Sequence, residues 1–255
     1  MPDNLPRIIP GCEPFSAPGG PNGALVIHGF TGNPHSMRGL AQAFAAAGFA
    51  VELPRLPGHG TSVEDLMTTS WSDWADTVEA AYADLAGRCD KVVVAGLSMG
   101  GTLTVMMAER HPDIAGIVAI NAAVDPPAES FLDMMRTMVE QGHDRMPAVG
   151  GDIAKPDTEE LGAYDATPIA PLLSFVEQGE DLFPRLGEIT CPVLIITSTN
   201  DHVVPPVSSD VLAAKVAGPV ERVVLERSFH VATLDYDKDE IERRSVEFAR
   251  KVTAG

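Results

Sequence analysis

The 255-residue chain has few cysteines, few cationic side chains and no long apolar run. Its three cysteines, Cys12, Cys89 and Cys191, form an odd number at wide spacing. This usage is typical of reduced thiols and favours a cytoplasmic protein. The cysteines and histidines do not cluster at the spacing of zinc ligands. The sequence therefore predicts no disulfide framework and no metal site, and its motifs require no organic cofactor.

Cationic side chains are outnumbered two to one, with 18 Lys and Arg against 36 Asp and Glu, and the net charge is −18. This charge argues against nucleic acid or an anionic membrane as the main partner. No apolar run approaches the roughly 20 residues that cross a bilayer, and no secretory signal is recognisable at the start. We expect no stable membrane insertion. The sequence leaves transient contact with a lipid surface, and the oligomeric state, open.

Short apolar runs alternate with helical patterns along most of the chain. This alternation predicts an α/β fold, with a central, mostly parallel sheet and helices on both faces. The predicted strands lie near 8–9 and at 24–27, 49–53, 91–95, 114–120, 192–196 and 220–225.

The alternation is interrupted between residues 125 and 187. This segment is rich in proline and glycine and contains one helical pattern with apolar residues from Phe131 to Val139. We therefore predict a core formed by residues 1–124 and 188–255, with residues 125–187 inserted as a small cap. The methionines of the cap helix favour core packing over a lipid gate.

A serine at the junction of a predicted strand and a predicted helix is the first candidate catalytic group. Ser98 lies in Gly-Leu-Ser-Met-Gly at residues 96–100. A sharp strand-to-helix turn exposes such a hydroxyl, and glycines on both sides avoid Cβ clashes. The string alone is a weak signal, but its context predicts a nucleophile elbow. The alternative is that Ser98 only caps the helix.

A serine nucleophile needs a base and an acid, which follow it in the chain in hydrolases with such an elbow. Asp201 and His230 each follow a predicted strand, at the sheet edge where the elbow lies. Taken singly, an Asx turn explains Asp201 and a buried hydrogen bond explains His230 equally well. Together with Ser98 they predict a Ser-His-Asp triad. His202 is more typical of a loop residue that packs or contacts water.

Acyl transfer also needs two donors for the developing oxyanion. The Met99 N–H lies at the start of the predicted helix, where N–H groups have no intrahelical partner. We predict that the second donor is the N–H of Phe30, in the loop where Gly29 permits close backbone approach. His28 precedes this loop and is more typical of a structural hydrogen-bonding residue than of a base.

These motifs resemble the α/β-hydrolase superfamily and, within it, the bacterial monoacylglycerol lipase family. The resemblance covers nearly the whole chain and weakens between about residues 129 and 145. The bacterial carboxylesterases share the same layout. The strings that carry the resemblance are residues 28–38, 53–61, 96–103, 121–125, 201–206 and 230–237.

The resemblance implies a serine hydrolase that cleaves a monoacylglycerol to glycerol and a free fatty acid through an acyl-enzyme. It implies the same triad and oxyanion donors as the spacing does. It further implies that Glu160 binds the glycerol end of the substrate and that Val149 shapes the acyl-glycerol pocket.

Three other functions compete with this one. A broad carboxylesterase acting on short- to medium-chain esters is the main alternative. An acyltransferase would give ester products when an alcohol competes with water. A protein that only binds a small apolar ligand usually lacks a triad member, whereas this chain keeps all three candidates.

Overall fold

A computed structural model describes residues 6–148 and 151–254. The strands of these residues are β1 (Phe15–Ala17), β2 (Asn22–Ile27), β3 (Ala50–Leu53), β4 (Lys91–Leu97), β5 (Gly116–Ile120), β6 (Arg145–Pro147), β7 (Ala166–Pro168), β8 (Val193–Ser198) and β9 (Val220–Leu225). Seven of them form one sheet in the order β1-β3-β2-β4-β5-β8-β9, and the two short strands β6 and β7 pair separately. All neighbours in the large sheet are parallel except β1 and β3.

Helices cover both faces of the large sheet, as the sequence predicts. The helices are α1 (Pro34–Ala46), α2 (Val63–Leu66), α3 (Trp71–Arg88), α4 (Met99–Arg110), α5 (Glu129–Glu140), α6 (Ile169–Glu177), α7 (Gly179–Leu182), α8 (Val207–Lys215) and α9 (Lys238–Thr253). Of these, α1 and α9 pack on one face, and α3, α4 and α8 pack on the other. Two 3-10 helices span Phe183–Glu188 and Ala232–Leu234. Within the described ranges, no helix is long and apolar enough to span a membrane.

The central strands are apolar on both faces because both faces are covered. Every residue of β5 is buried, and so are all residues of β4 after Lys91. Such continuous apolar runs are typical of parallel strands between two helical layers. The register pairs Leu97 at the end of β4 with Ile120 at the end of β5. The carboxyl ends of these strands therefore meet at one edge, where the polar candidates lie.

The outermost strand of the sheet, β1, departs from the prediction. The short strand expected near residues 8–9 is wrong, because β1 instead forms at Phe15–Ala17 and runs antiparallel to β3. A three-residue edge strand has too few positions for an apolar period to be visible in the sequence.

The cap segment between β5 and β8 has a small apolar centre of its own. Leu132 and Met135 of α5 are buried against Ile169 of α6. Phe175 and Phe183, farther along the segment, belong to the main hydrophobic core. The second half of the cap therefore contacts the core through these two side chains. Within α5, Met135 is fully buried whereas Met134 is 44% exposed.

Candidate active site

Ser98 lies at a sharp turn between β4 and α4. Its backbone has φ 58° and ψ −122°, a conformation that L-residues rarely adopt and that costs energy. The Ser98 N–H still donates to the Ile120 carbonyl at 3.0 Å, which fixes the turn to the sheet. A Cβ on Gly96 would lie 2.0 Å from the Gly100 carbonyl oxygen, and one on Gly100 would lie 2.3 Å from the Ile27 oxygen. Only glycine fits both places.

The loop after β2 approaches the elbow closely. A Cβ on Gly29 would lie 3.2 Å from the Ser98 Cβ. Phe30 follows, and Thr31 adopts φ 58°. Phe30 and Ser98 line the same cavity, while Met99 is buried as the first residue of α4. The structure thus places both predicted oxyanion donors on the two segments that flank the Ser98 side chain.

Asp201 and His230 contact each other at the end of β8 and after β9. The His230 Nδ1 lies 2.7 Å from the Asp201 Oδ2, and both side chains are nearly inaccessible. The other Asp201 oxygen accepts the N–H groups of Val203 and Val204, each at 2.8 Å. Asp201 therefore forms an Asx turn and also holds the imidazole. With Nδ1 donating to the carboxylate, Nε2 is the nitrogen left to accept a proton.

A cavity of about 660 Å³ opens at this edge, and Ser98 and His230 both line it. Gly29 to Gly32 form part of its floor. Its walls are largely apolar, and about half of the residues that line it belong to the cap segment. The walls include Phe131, Leu172, Phe175, Val176, Phe183 and Val204. A hydroxyl and an imidazole therefore line one largely apolar cavity of a size typical for small-molecule ligands.

Glu160 brings a carboxyl group into this cavity from the cap segment. A Cβ on Gly32 would lie 2.7 Å from the Glu160 Oε1, so glycine leaves room for the carboxyl. Burial raises the pKa of Glu160, and nearby His230 opposes the rise. The Asn33 side chain donates a hydrogen bond of 2.6 Å to the carbonyl of Leu161, the residue that follows Glu160. Val149, the other predicted substrate-binding residue, lies outside the described residues.

Two buried histidines support the loop before Phe30. His28 accepts the Leu56 N–H at 3.1 Å through Nε2, and its Nδ1 donates to the Gly29 carbonyl at 2.9 Å. Burial lowers the pKa of His28 to about 4 and that of His59 well below its ordinary value. The His59 ring lies against His28, Phe30 and Trp74. Both are neutral structural residues near pH 7, as the sequence predicts for His28.

Sequence reasoning missed a residue that holds the His230 main chain. Asn121, at the end of β5, adopts φ 44° and donates its amide to the His230 carbonyl at 2.8 Å. The same amide contacts Ser198, accepting its N–H and donating to its hydroxyl. Ser198 and His230 are 77 and 109 residues away in sequence, so no local sequence pattern predicts these hydrogen bonds. A buried asparagine directly after an apolar strand was the available signal.

Within the described residues, no group of three or more His, Cys, Asp or Glu side chains lies close enough together to hold a metal ion.

Comparisons with known proteins agree with this architecture. A family model described as serine aminopeptidase, S33 (Hydrolase_4), matches residues 21–237. The chain is 48% identical to a protein named thermostable monoacylglycerol lipase from Bacillus sp. (strain H-257), over 96% of each chain. It is 26% identical to a carboxylesterase of Bacillus subtilis (strain 168), over 94% of this chain and 97% of the relative.

A solved structure from work on LipS and LipT, two metagenome-derived lipolytic enzymes, is similar throughout. Its TM-score is 0.91 at 41% identity, and the match covers 96% of this chain and 100% of the other. The parallel sheet with a serine at the turn from β4 to α4 defines the α/β-hydrolase class, which confirms the predicted fold. The chain belongs to the Hydrolase_4 family within that class, and it is a carboxylic ester hydrolase.

Proposed function

We propose that the chain hydrolyses monoacylglycerols to glycerol and a free fatty acid through an acyl-enzyme on Ser98. The observation that carries this proposal is the His230–Asp201 pair at 2.7 Å, with His230 lining the same apolar cavity as Ser98. The 48% identity to a protein named monoacylglycerol lipase supports the substrate class.

In the first half-reaction, the Ser98 hydroxyl attacks the ester carbonyl and His230 accepts its proton at Nε2. Asp201 stabilises the resulting imidazolium through Nδ1. The N–H groups of Phe30 and Met99 donate to the tetrahedral oxyanion. Collapse breaks the ester bond, and His230 returns the proton to the departing glycerol oxygen.

In the second half-reaction, water attacks the acyl-enzyme. His230 takes a proton from the water and then protonates Ser98 as the fatty acid leaves. The acyl chain occupies the apolar walls, where burial of each methylene contributes about 0.8 kcal/mol. Every proton passes between groups that line the cavity.

The cap supplies recognition of the glycerol end. Glu160 accepts hydrogen bonds from the two free glycerol hydroxyls, and Val149 tunes the fit of the acyl-glycerol. A diacyl- or triacylglycerol would bring one or two further acyl chains against Glu160. Placing apolar chains there costs free energy because the carboxyl loses hydrogen-bonding partners.

Two proposals concern the setting of the reaction. The three cysteines are all unpaired in the structure, which supports a reducing, cytoplasmic compartment. Exposed Met134 and Val139 on α5 provide apolar side chains for transient contact with aggregated lipid substrate.

A broad carboxylesterase is the second candidate, supported by the similarity to the B. subtilis carboxylesterase. A panel of mono-, di- and triacylglycerols and a short-chain ester, assayed with purified protein, separates the two. We expect kcat/KM to be highest for monoacylglycerols. Equal values for all soluble esters would reject the lipase assignment and favour the esterase. New ester formed when an alcohol is added would instead indicate acyl transfer.

A further inference from the structure

One carboxylate in the cap segment binds main-chain groups next to both the acid and the base. The Asp152 Oδ2 accepts the N–H of His230 and the N–H of His202, each at 3.1 Å. Its Oδ1 lies 2.9 Å from the His202 Nδ1, which donates to it. The Asp152 carbonyl also accepts the Val231 N–H at 3.0 Å. Asp152 therefore connects three segments that are distant in sequence.

The position of these contacts matters because the acid and the base come from different loops. His202 directly follows Asp201, and the loop that carries them begins where β8 ends. His230 follows β9 in a separate loop. The 2.7 Å contact between Asp201 and His230 requires the two loops to stay in register. Asp152 is bound to the main chain of both.

The charge of Asp152 suits this arrangement. Burial alone would raise the pKa of Asp152, but hydrogen bonds from His202 and His230 outweigh burial and lower it. Its side chain is only 17% exposed. Hydrogen bonds to an ionised acceptor are shorter and stronger than neutral ones.

A second carboxylate fastens the following residues of the cap segment to the same loop. The Asp235 Oδ2 accepts the N–H groups of Ala154 and Phe229, at 2.7 and 2.9 Å. Its Oδ1 accepts the Lys155 N–H at 3.0 Å. The cap segment is thus anchored to the histidine loop from both sides before it continues to Glu160.

We propose that Asp152 is a positioning residue that holds the Asp201 and His230 loops in register and ties their alignment to the docked cap segment. This inference rests on the proposed function, since it concerns the same triad. Asp152 does not line the cavity among the described residues, so it acts through His230 rather than on substrate. Its loss should affect the chemical step more than substrate binding.

The test uses the purified full chain, a short-chain ester and a serine-directed phosphonate. For Asp152→Ala we expect kcat and the rate constant of phosphonylation to fall about 10- to 100-fold, because displacement of a catalytic group by about 1 Å costs that much. KM should change less than about twofold. Asp152→Asn should recover most of the loss, because its amide oxygen still accepts the two main-chain N–H groups.

Matched controls separate positioning from charge and folding. Asp157→Asn removes an exposed charge from the same segment and should leave both rates unchanged. His202→Ala keeps its main-chain N–H and should lose less than about threefold. The final phosphonate stoichiometry gives the fraction of intact sites, so every rate is expressed per reactive site.

An Asp152→Ala protein with wild-type rates per reactive site would overturn the proposal. A lower reactive fraction with normal rates would also overturn it, since Asp152 would then serve folding alone. If Asp152→Ala does not fold, Asp152→Glu carries the test, because one added methylene displaces both oxygens. It should lower kcat about tenfold, and an unchanged kcat would reject positioning. A wild-type enzyme that never reacts with the phosphonate would refute the proposed triad itself, and this inference with it.

Discussion

The sheet edge and the cap are built by different physical means. At the edge, Ser98 lies between Gly96 and Gly100, where a Cβ would clash with backbone atoms, and hydrogen bonds hold His230 at its side chain and main chain. In the cap, α5 packs on α6 through a small apolar centre, and Arg136 of α5 forms exposed ion pairs with Glu177 of α6 and Glu180 of α7. Exposed ion pairs contribute little stability. The two regions therefore differ in packing, since the elbow and the His230 loop are buried in the core, whereas α5 contacts its neighbours through few buried side chains.

A methyl group added at the elbow should lower the unfolding free energy more than any other change considered below. In Gly96→Ala the new Cβ would meet the Gly100 carbonyl at 2.0 Å, so we expect a loss of more than about 4 kcal/mol in unfolding free energy. Urea denaturation measures the loss. Gly87→Ala in α3 is the matched control, because nothing lies within 4 Å of its Cβ. It should stabilise by about 0.5–1 kcal/mol. Equal effects of the two substitutions would contradict the packing argument.

Acid should destabilise the core because it contains buried neutral histidines. Burial lowers the pKa of His28 from 6.5 to about 4, so between these values the unfolded chain binds a proton that the folded chain does not. Its contribution is complete above pH 6.5 and is lost as pH falls toward 4. Between pH 7.5 and 5, His28 alone should remove about 2 kcal/mol of unfolding free energy.

Denaturation at a series of pH values measures this loss. His28→Gln should flatten the dependence, while His143→Gln, an exposed cap residue, should retain the wild-type slope. An unchanged slope in His28→Gln would show that folding does not lower the pKa of His28.

Substitution of Glu160 in the cap tests its proposed role in glycerol recognition. Glu160→Gln keeps the size of the side chain but weakens acceptance from glycerol hydroxyls, so kcat/KM for a monoacylglycerol should fall about tenfold. The methyl ester of the same fatty acid should change less than about twofold. Glu159→Gln, at the exposed neighbouring position, is the control. Equal losses on both esters would show that Glu160 serves the reaction centre rather than glycerol recognition.

Relief of backbone strain at Ser98 should change the unfolding free energy least. Ser98 holds φ 58° and ψ −122°, which glycine adopts at lower cost. Ser98→Gly should therefore raise the unfolding free energy by about 1 kcal/mol while activity is lost. Ser98→Ala retains the strain and should show no such gain. If both variants have wild-type stability, the elbow stores no measurable strain.

The sequence predicts the sheet edge better than the cap, for physical reasons. The elbow is a local event, since apolar strand, glycine, serine and helix follow one another within about ten residues. Asp201 and His230 are visible because each follows a strand. Asp152 and Asn121 act across 78 and 109 residues, and only the folded chain brings these partners together.

The cap offers no comparable signal. Its proline-rich turns predict an insertion, but the burial of Met135 beside exposed Met134 depends on how α5 lies on α6. The edge strand β1 is similarly hidden, because antiparallel pairing with β3 rather than its own three residues defines it.

The proposed reaction depends on acylation of Ser98 with the help of His230. Treatment with a serine-directed phosphonate followed by mass spectrometry measures the reactivity of this hydroxyl. We predict one adduct per chain, located on the peptide that contains Ser98, with no adduct in Ser98→Ala and a much slower reaction in His230→Ala. An adduct on another residue, or full ester hydrolysis by Ser98→Ala, would contradict the account.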